Sequence, residues 1–349
     1  MRHLGTTPPF RGAGGEPLPG SIADVAYMRI GGVDQWVMIR GEDITNPPLI
    51  MLHGGPGLGE TGLFRHYNAP LERVFTVVYW DQRGAGKSAD ASIPNASMTL
   101  EQLLSDLNDL VDIVCKRLNK TRVVLFGHSW GSALGVLYAA RYPRKVAAYV
   151  GSGQIGDWPA AETGSYEYAL AEARRRGKRK AERQLLAIGA PPYSAKDVFT
   201  ERTWLWRLDG GLRVRSLLDL ARTFFSAKES SLLEAPSTWR AFRSTFGVMW
   251  SEVSKIDLNQ LAPALDLPVF FFLGANDHWV PPETSVTYFE KLTAPSKKLV
   301  WFEKSGHEPF VDEPEKFNAL MAELVRPIVP ADLPTPSSTA SAEQGAAIY

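Results

Sequence analysis

Only one cysteine, Cys115, occurs in 349 residues, so no internal disulfide can form. That usage suits a reducing compartment, and the cytoplasm is the expected location. The opening residues MRHLGTTPPFRGAGGEPLPG hold no apolar segment of the kind a secretory signal carries. No run of about 18 apolar residues occurs, so neither a spanning helix nor a membrane partner is expected. Charge of either sign is not in excess: 38 Lys plus Arg balance 38 Asp plus Glu. No net field draws the chain to nucleic acid, and none is expected as a partner. Histidine is scarce as well, at six residues, which makes a search for a catalytic base short.

What is present is an ordinary globular composition, 44% hydrophobic and 22% charged, enough for a large core. Between the ends, strand and helix patterns alternate. PLIMLHGG (48–55), FTVVYWDQRG (75–84), RVVLFG (122–127) and VAAYVG (146–151) read as strands. Their continuous apolar runs are those of a parallel sheet covered on both faces. TLEQLLSDLNDLVDIVCKRL (99–118) has Leu103, Leu107, Leu110, Val111 and Val114 at helical spacing. SIADVAYMRIGGVDQWVMIRG (21–41) reads as two further strands around the Gly31-Gly32 turn, and after VAAYVG, the sixth strand, the alternation stops. The next hundred residues read as helical and hold five of the ten tryptophans: Trp158, Trp204, Trp206, Trp239 and Trp250. LPVFFFLGAND (267–277) and KKLVWFEKSGH (297–307) then resume the strands. The pattern predicts an α/β fold with a mostly parallel central sheet flanked by helices and a helical cap inserted after the sixth strand. Residues 1–20 read as a flexible arm, 21–156 and 258–330 as the core, 157–257 as the cap, and 331–349 as a disordered tail.

Gly127-His128-Ser129-Trp130-Gly131 matches G-x-S-x-G between a strand and a helix. That placement sets the serine on a tight turn, hydroxyl outward, above a helix N-terminus that favours developing negative charge. A serine hydroxyl needs a base at neutral pH. In this arrangement the chain order is serine, acid, histidine. His3, His53 and His66 precede the serine, and the His128 side chain diverges from it. His278 directly follows the expected acid and points elsewhere. His307 remains, in a Gly- and Pro-flanked loop at the carboxyl edge of the sheet, where such sheets bind ligands. Asp277 ends a strand one helix and one strand before His307 and is the expected acid, holding the imidazole's tautomer. Asp266 lies at the wrong edge. His53-Gly54-Gly55-Pro56-Gly57 follows a strand, and its bare backbone can approach a tetrahedral intermediate. The Gly55 and Trp130 N–H groups are the expected oxyanion donors, with Gly54 the second choice. No metal and no cofactor is required.

Three other signals carry no function. Gly84-Ala85-Gly86-Lys87-Ser88 lacks the first glycine of a phosphate loop, Asp81 standing there. Gly151 to Gly156 spells G-x-G-x-x-G but falls late, on the path out to the cap. The basic run Arg174 to Lys180 is flanked by Glu172 and Glu182 and reads as a solvated helix face.

Together HGGPG (53–57), WDQRGAGKS (80–88) and GHSWGS (127–132) resemble the proline iminopeptidase family of α/β hydrolases, across most of residues 21–330. The resemblance implies removal of N-terminal proline from peptides, with Ser129, Asp277 and His307 as the triad and Gly55 and Trp130 at the oxyanion. It also implies cap glutamates that hold the substrate amine, often in a Trp-x-x-Trp-Glu setting. That spacing is absent here, and Glu162, Glu167 and Glu252 stand as substitutes, with none singled out. An amine needs a carboxylate in a dry pocket, whereas an ester needs only apolar walls. Trp204, Trp206, Phe224, Phe225, Trp239, Phe246 and Trp250 supply walls for either, with Gly54, Trp204, Trp206 and Glu252 the expected pocket. The expected activity is that of a serine aminopeptidase or amidase on short peptides or small molecules. A carboxylesterase or lactonase is the alternative, and a ligand receptor on the same scaffold the remote one.

Overall fold

Five strands with no face left for water form the centre of an eight-stranded sheet. The structure is a computed structural model that describes residues 4–211, 229 and 234–329. The strands are β1 (Ile22–Ile30), β2 (Val33–Gly41), β3 (Pro48–Leu52), β4 (Thr76–Trp80), β5 (Val123–His128), β6 (Val146–Ser152), β7 (Val269–Gly274) and β8 (Lys297–Phe302). Their spatial order is β1-β2-β4-β3-β5-β6-β7-β8. β1 pairs with β2, and β2 with β4, antiparallel; every other neighbouring pair is parallel.

Alternate residues of each central strand feed two separate cores. Ile50, Leu52, Val78, Trp80, Leu125 and Phe271 enter one. Leu49, Met51, Val77, Tyr79, Phe126 and Phe272 enter the other. Each such side chain contributes about 1.5–3 kcal/mol on burial, so a charge on either face is strongly selected against. Helices α1 (Thr61–Asn68), α2 (Leu100–Leu118), α3 (Trp130–Arg141) and later α8 (Pro282–Lys291) and α9 (Pro314–Leu320) belong to the sheet layers. The helix read at 99–118 begins where the Thr99 side chain accepts from Gln102 N–H and ends at Asn119 in the left-handed region.

Between β6 and β7 lie α4 (Trp158–Arg175), α5 (Arg179–Ile188), α6 (Ala195–Arg207) and α7 (Ala235–Val253). The chain leaves and re-enters the sheet through a paired neck. Asp157 bridges Asp257, Trp158 N–H donates to Ile256 O at 2.9 Å, and Leu258 N–H donates to Gly156 O at 2.8 Å.

The arm expected to be loose is tied down from residue 4 onward. Trp36 Nε1 donates to Leu4 O at 2.7 Å, and Arg40 donates to Thr7 Oγ1 at 2.5 Å and to Pro8 O at 2.7 Å. Arg40 also sits over the Phe10 ring. The arm satisfies buried polar groups of β2, which its own Gly/Pro composition does not reveal. The tail 331–349, His3, Phe224 and Phe225 lie outside the described residues. Among the described residues no helix is long and apolar enough to cross a membrane.

Candidate active site

Four strand ends meet at one edge of the sheet. β3 leads into the Gly54–Gly57 loop, β5 into Ser129, β7 into Asp277 and β8 into His307. Ser129 has φ 52 and ψ −120, a conformation that costs a non-glycine residue about 1–3 kcal/mol. Its neighbours explain how the turn survives. A Cβ at Gly127 would lie 2.5 Å from Gly131 O, and one at Gly131 would lie 2.0 Å from Leu52 O. Gly127 lets α3 start against β5 and Gly131 lets it start against β3, and Ser129 N–H is held by Ser152 O at 3.0 Å. Ser129 is half-buried, whereas His128 and Trp130 on either side are buried.

His307 Nδ1 lies 2.8 Å from Asp277 Oδ2. The other carboxylate oxygen accepts from Trp279 N–H and Val280 N–H, both at 2.9 Å. Asp277 is therefore fixed as an acceptor, so Nδ1 carries the proton and Nε2 is left basic. His307 and Asp277 are both buried. Gly153, from the glycine motif set aside above, has φ 52; a Cβ there would lie 2.8 Å from His307 Cε1. That glycine keeps room for the imidazole. The cap reaches both loops: Gly210 O accepts from His278 N–H at 3.1 Å and Gly211 O accepts from His307 N–H at 2.8 Å.

The glycine loop closes on the serine from the other side. A Cβ at Gly54 would lie 3.3 Å from Ser129 Cβ. Gly54 N–H, the second-choice oxyanion donor, is held by Glu60 Oε2 at 2.9 Å and so is occupied. Gly55 has φ 118 and, among the described residues, its N–H has no partner. The Trp130 indole is locked by Gln82 Oε1 at 3.0 Å, while its backbone N–H opens α3. His53 donates from Nδ1 to Gly54 O at 2.8 Å and accepts on Nε2 from Gln82 N–H at 3.1 Å. One donor and one acceptor fix it neutral, and burial holds it below its ordinary value. Gln82, just after β4, thus braces the glycine loop through His53.

The expected pocket is rearranged. Glu252 is exposed, and its carboxylate accepts from Leu100 N–H at 3.0 Å, serving the start of α2 instead. Glu167 is exposed on α4. Trp204 turns toward α5, donating to Gln184 Oε1 at 2.8 Å, and Trp206 is half-buried further along α6. Trp239 is largely exposed, and Trp250 is buried with its Nε1 on Tyr193 O at 2.8 Å. The remaining substitute, Glu162, is 3% exposed and sits in a polar cluster that the sequence reading missed. Arg202 of α6 binds Glu162 Oε1 and lies 2.7 Å from Glu201 Oε2; Ser165 Oγ joins Arg202 and Glu201, each at 2.8 Å. Two carboxylates around one guanidinium leave the cluster short of a cation. Burial pushes the Glu162 carboxyl up to about 7, with Arg202 opposing and Glu201 adding. Among the described residues, Glu162 Oε2, Tyr193 Oη and Trp279 Nε1 are buried without hydrogen-bond partners. Arg202 lies over Trp279, whose ring lies near parallel to His307 with centroids 6.0 Å apart. The cluster therefore adjoins His307.

A mostly parallel sheet with a strained serine at the β5–α3 turn makes this an α/β hydrolase, and the enzyme is a serine hydrolase. The chain belongs to the serine aminopeptidase family S33, whose model matches residues 56–315. It is similar to the probable aminopeptidase YbaC of Bacillus subtilis (strain 168), 32% identical over 305 residues, covering 86% of this chain and 96% of the relative. It is also similar to a proline iminopeptidase of Heyndrickxia coagulans, 24% identical over 292 residues, covering 80% of this chain and 91% of the relative. Its fold is shared with a proline iminopeptidase-related protein of Thermus thermophilus, at TM-score 0.63 and 20% identity, covering 89% of this chain and 99% of that one.

Proposed function

We propose that the chain is an aminopeptidase that cleaves the N-terminal residue from short peptides through a Ser129–His307–Asp277 relay. The observation that carries it is the 2.8 Å pairing of His307 with Asp277 on loops at the same sheet edge as the Ser129 turn. Ser129 Oγ attacks the carbonyl of the first residue while His307 Nε2 takes its proton. The oxyanion takes N–H bonds from Gly55 and Trp130, worth about 2.7–4 kcal/mol for a single donor. His307 returns the proton to the departing amine, and water then releases the acyl group by the same steps in reverse order.

The buried, unpartnered Glu162 Oε2 supports a free-amine substrate. A substrate ammonium would supply the cation that the Glu162–Arg202–Glu201 cluster lacks, in a site too dry for an unpaired charge. Esters offer nothing to that oxygen, which places the esterase reading second.

The test has two arms. A fluorophosphonate probe should label the wild-type chain and not Ser129→Ala; equal labelling of both rules out the nucleophile. Pro-, Ala- and Leu-naphthylamides are then compared with their N-acetylated forms and with p-nitrophenyl esters. A clear preference for free-amine substrates is expected, and turnover confined to esters overturns the aminopeptidase reading.

A further inference from the structure

His128 is outside the proposed relay, yet both of its ring nitrogens face acceptors. Nδ1 lies 3.0 Å from each Glu60 carboxylate oxygen, and Nε2 lies 3.2 Å from His307 O. A carbonyl can only accept, and a carboxylate can only accept, so both nitrogens must donate. The ring and Glu60 are buried, 2% and 1% exposed. Glu60 Oε2 also accepts from Gly54 N–H at 2.9 Å. A continuous chain of bonds thus runs from the glycine loop through Glu60 and His128, the residue before Ser129, to the backbone of His307.

We propose that His128 is a positioning residue: a buried imidazolium that holds the oxyanion-side loop and the backbone of His307 at fixed separation across the nucleophile. This inference rests on the hydrolase reading above. A neutral ring has one N–H, so it can keep only one of the two loops; the other contact becomes lone pair against lone pair. The loop so released moves relative to Ser129.

The charges around the ring agree with a cation. From the segment before α1 comes Glu60, from the loop after β3 the neutral His53, and from the loop after β8 come His307 and Glu308, with the Phe310 ring 4.9 Å away. Burial alone would push His128 down, but Glu60, Glu308 and the His307 carbonyl outweigh it and leave it raised. Burial opposes the Glu60 charge too, and His128 reverses it, leaving that carboxyl lowered. Glu308 is pushed up to about 8 by burial, with His128 opposing and Glu60, Asp312 and Asp277 adding; both ring nitrogens are taken by Glu60 and His307 O, so it does not replace Glu60 as the partner.

The contrast between two variants reads the role. His128→Gln keeps a donor for His307 O and loses the one for Glu60; the rate of fluorophosphonate labelling should fall by about tenfold to 100-fold. Glu60→Gln can still accept from Gly54 N–H and can donate its amide to a neutral His128, so the charge is no longer required. Wild-type labelling should therefore fall at alkaline pH as His128 loses its proton. Glu60→Gln should lose the alkaline fall, and Glu308→Gln should keep it. A wild-type rate and pH profile in His128→Gln overturns the proposal, as does loss of the alkaline limb in Glu308→Gln. If His128→Gln fails to fold, nitrogen-15 histidine spectra of the wild-type chain decide: His128 should be doubly protonated at neutral pH, and a single neutral tautomer overturns the proposal. Absence of any Ser129 labelling in the wild type would sink the hydrolase reading while leaving the spectral test of the bridge intact.

Discussion

The Arg202 guanidinium lies over the Trp279 ring, 5.4 Å from its centroid, and also holds Glu162 and Glu201. One cation on α6 therefore joins two buried carboxylates of the cap to the ring beside His307. Arg202→Met removes the cation and strands both acids. Loss of one partner from a buried pair costs about 3–5 kcal/mol. Denaturant unfolding at neutral pH should show a loss of that order, and a smaller one in acid, where the stranded carboxyls take up protons.

Glu162 should govern affinity for the amine. Glu162→Gln removes the charge and keeps the shape, and a hydrogen bond to a charged group is worth about 1.5–3 kcal/mol. KM for a free-amine naphthylamide should rise by about tenfold or more, while turnover of an uncharged p-nitrophenyl ester changes little. Because the carboxyl titrates at about 7, wild-type KM for the amine should fall as pH rises through that value. A KM that is flat in pH argues against Glu162 as the anchor.

Asp277→Asn should leave the fold intact and cut kcat by up to about 10⁴-fold, because the amide favours the wrong imidazole tautomer. Its side-chain oxygen can still accept from Trp279 and Val280 N–H, so the melting temperature should move little. Steady-state kinetics beside a thermal melt separates the two effects.

Glu308 sets a stability slope. Its folded value of about 8 stands above the ordinary 4.5 of an unfolded glutamate, so the folded state holds a proton that the unfolded state releases. That contribution is complete below about pH 4.5 and is lost as pH rises through about 8. Glu308→Gln cannot ionise and should flatten the fall of stability over that window. Melting curves measured across it would show an unchanged slope if Glu308 were not the source.

Gly153→Ala should act on rate through geometry alone. The added methyl group would meet the His307 ring at 2.8 Å and take a φ of 52. Displacement of the base by a fraction of an ångström to 1 Å can cost about 100-fold. The labelling rate of Ser129 measures it.

The sheet was legible because its signals are local. A run such as VVLFGH has no polar face and declares a two-sided strand without knowledge of its neighbours. Asp277 and His307 were legible through chain order, since one helix and one strand between them return the loop to the same edge. The Glu162–Arg202–Glu201 cluster was not legible. Glu162 and Arg202 lie forty residues apart on different helices, and nothing in either helix says that their faces meet. Glu252 misled because a tryptophan-rich helix precedes it, although its carboxylate is directed outward to α2. The docked arm was misread for the same reason, its partners Trp36 and Arg40 lying about thirty residues on.

Besides the Arg202 and Tyr168 side chains, the cap touches the two strand-end loops with two consecutive carbonyls, Gly210 O and Gly211 O. A foreign lid grafted onto the neck at Asp157 and Asp257 would bring new walls yet leave the amides of residues 278 and 307 without those acceptors. The cap of this enzyme is for that reason no exchangeable cassette. Chimeras that alter selectivity without loss of rate must carry the Asp209-Gly210-Gly211 corner across intact.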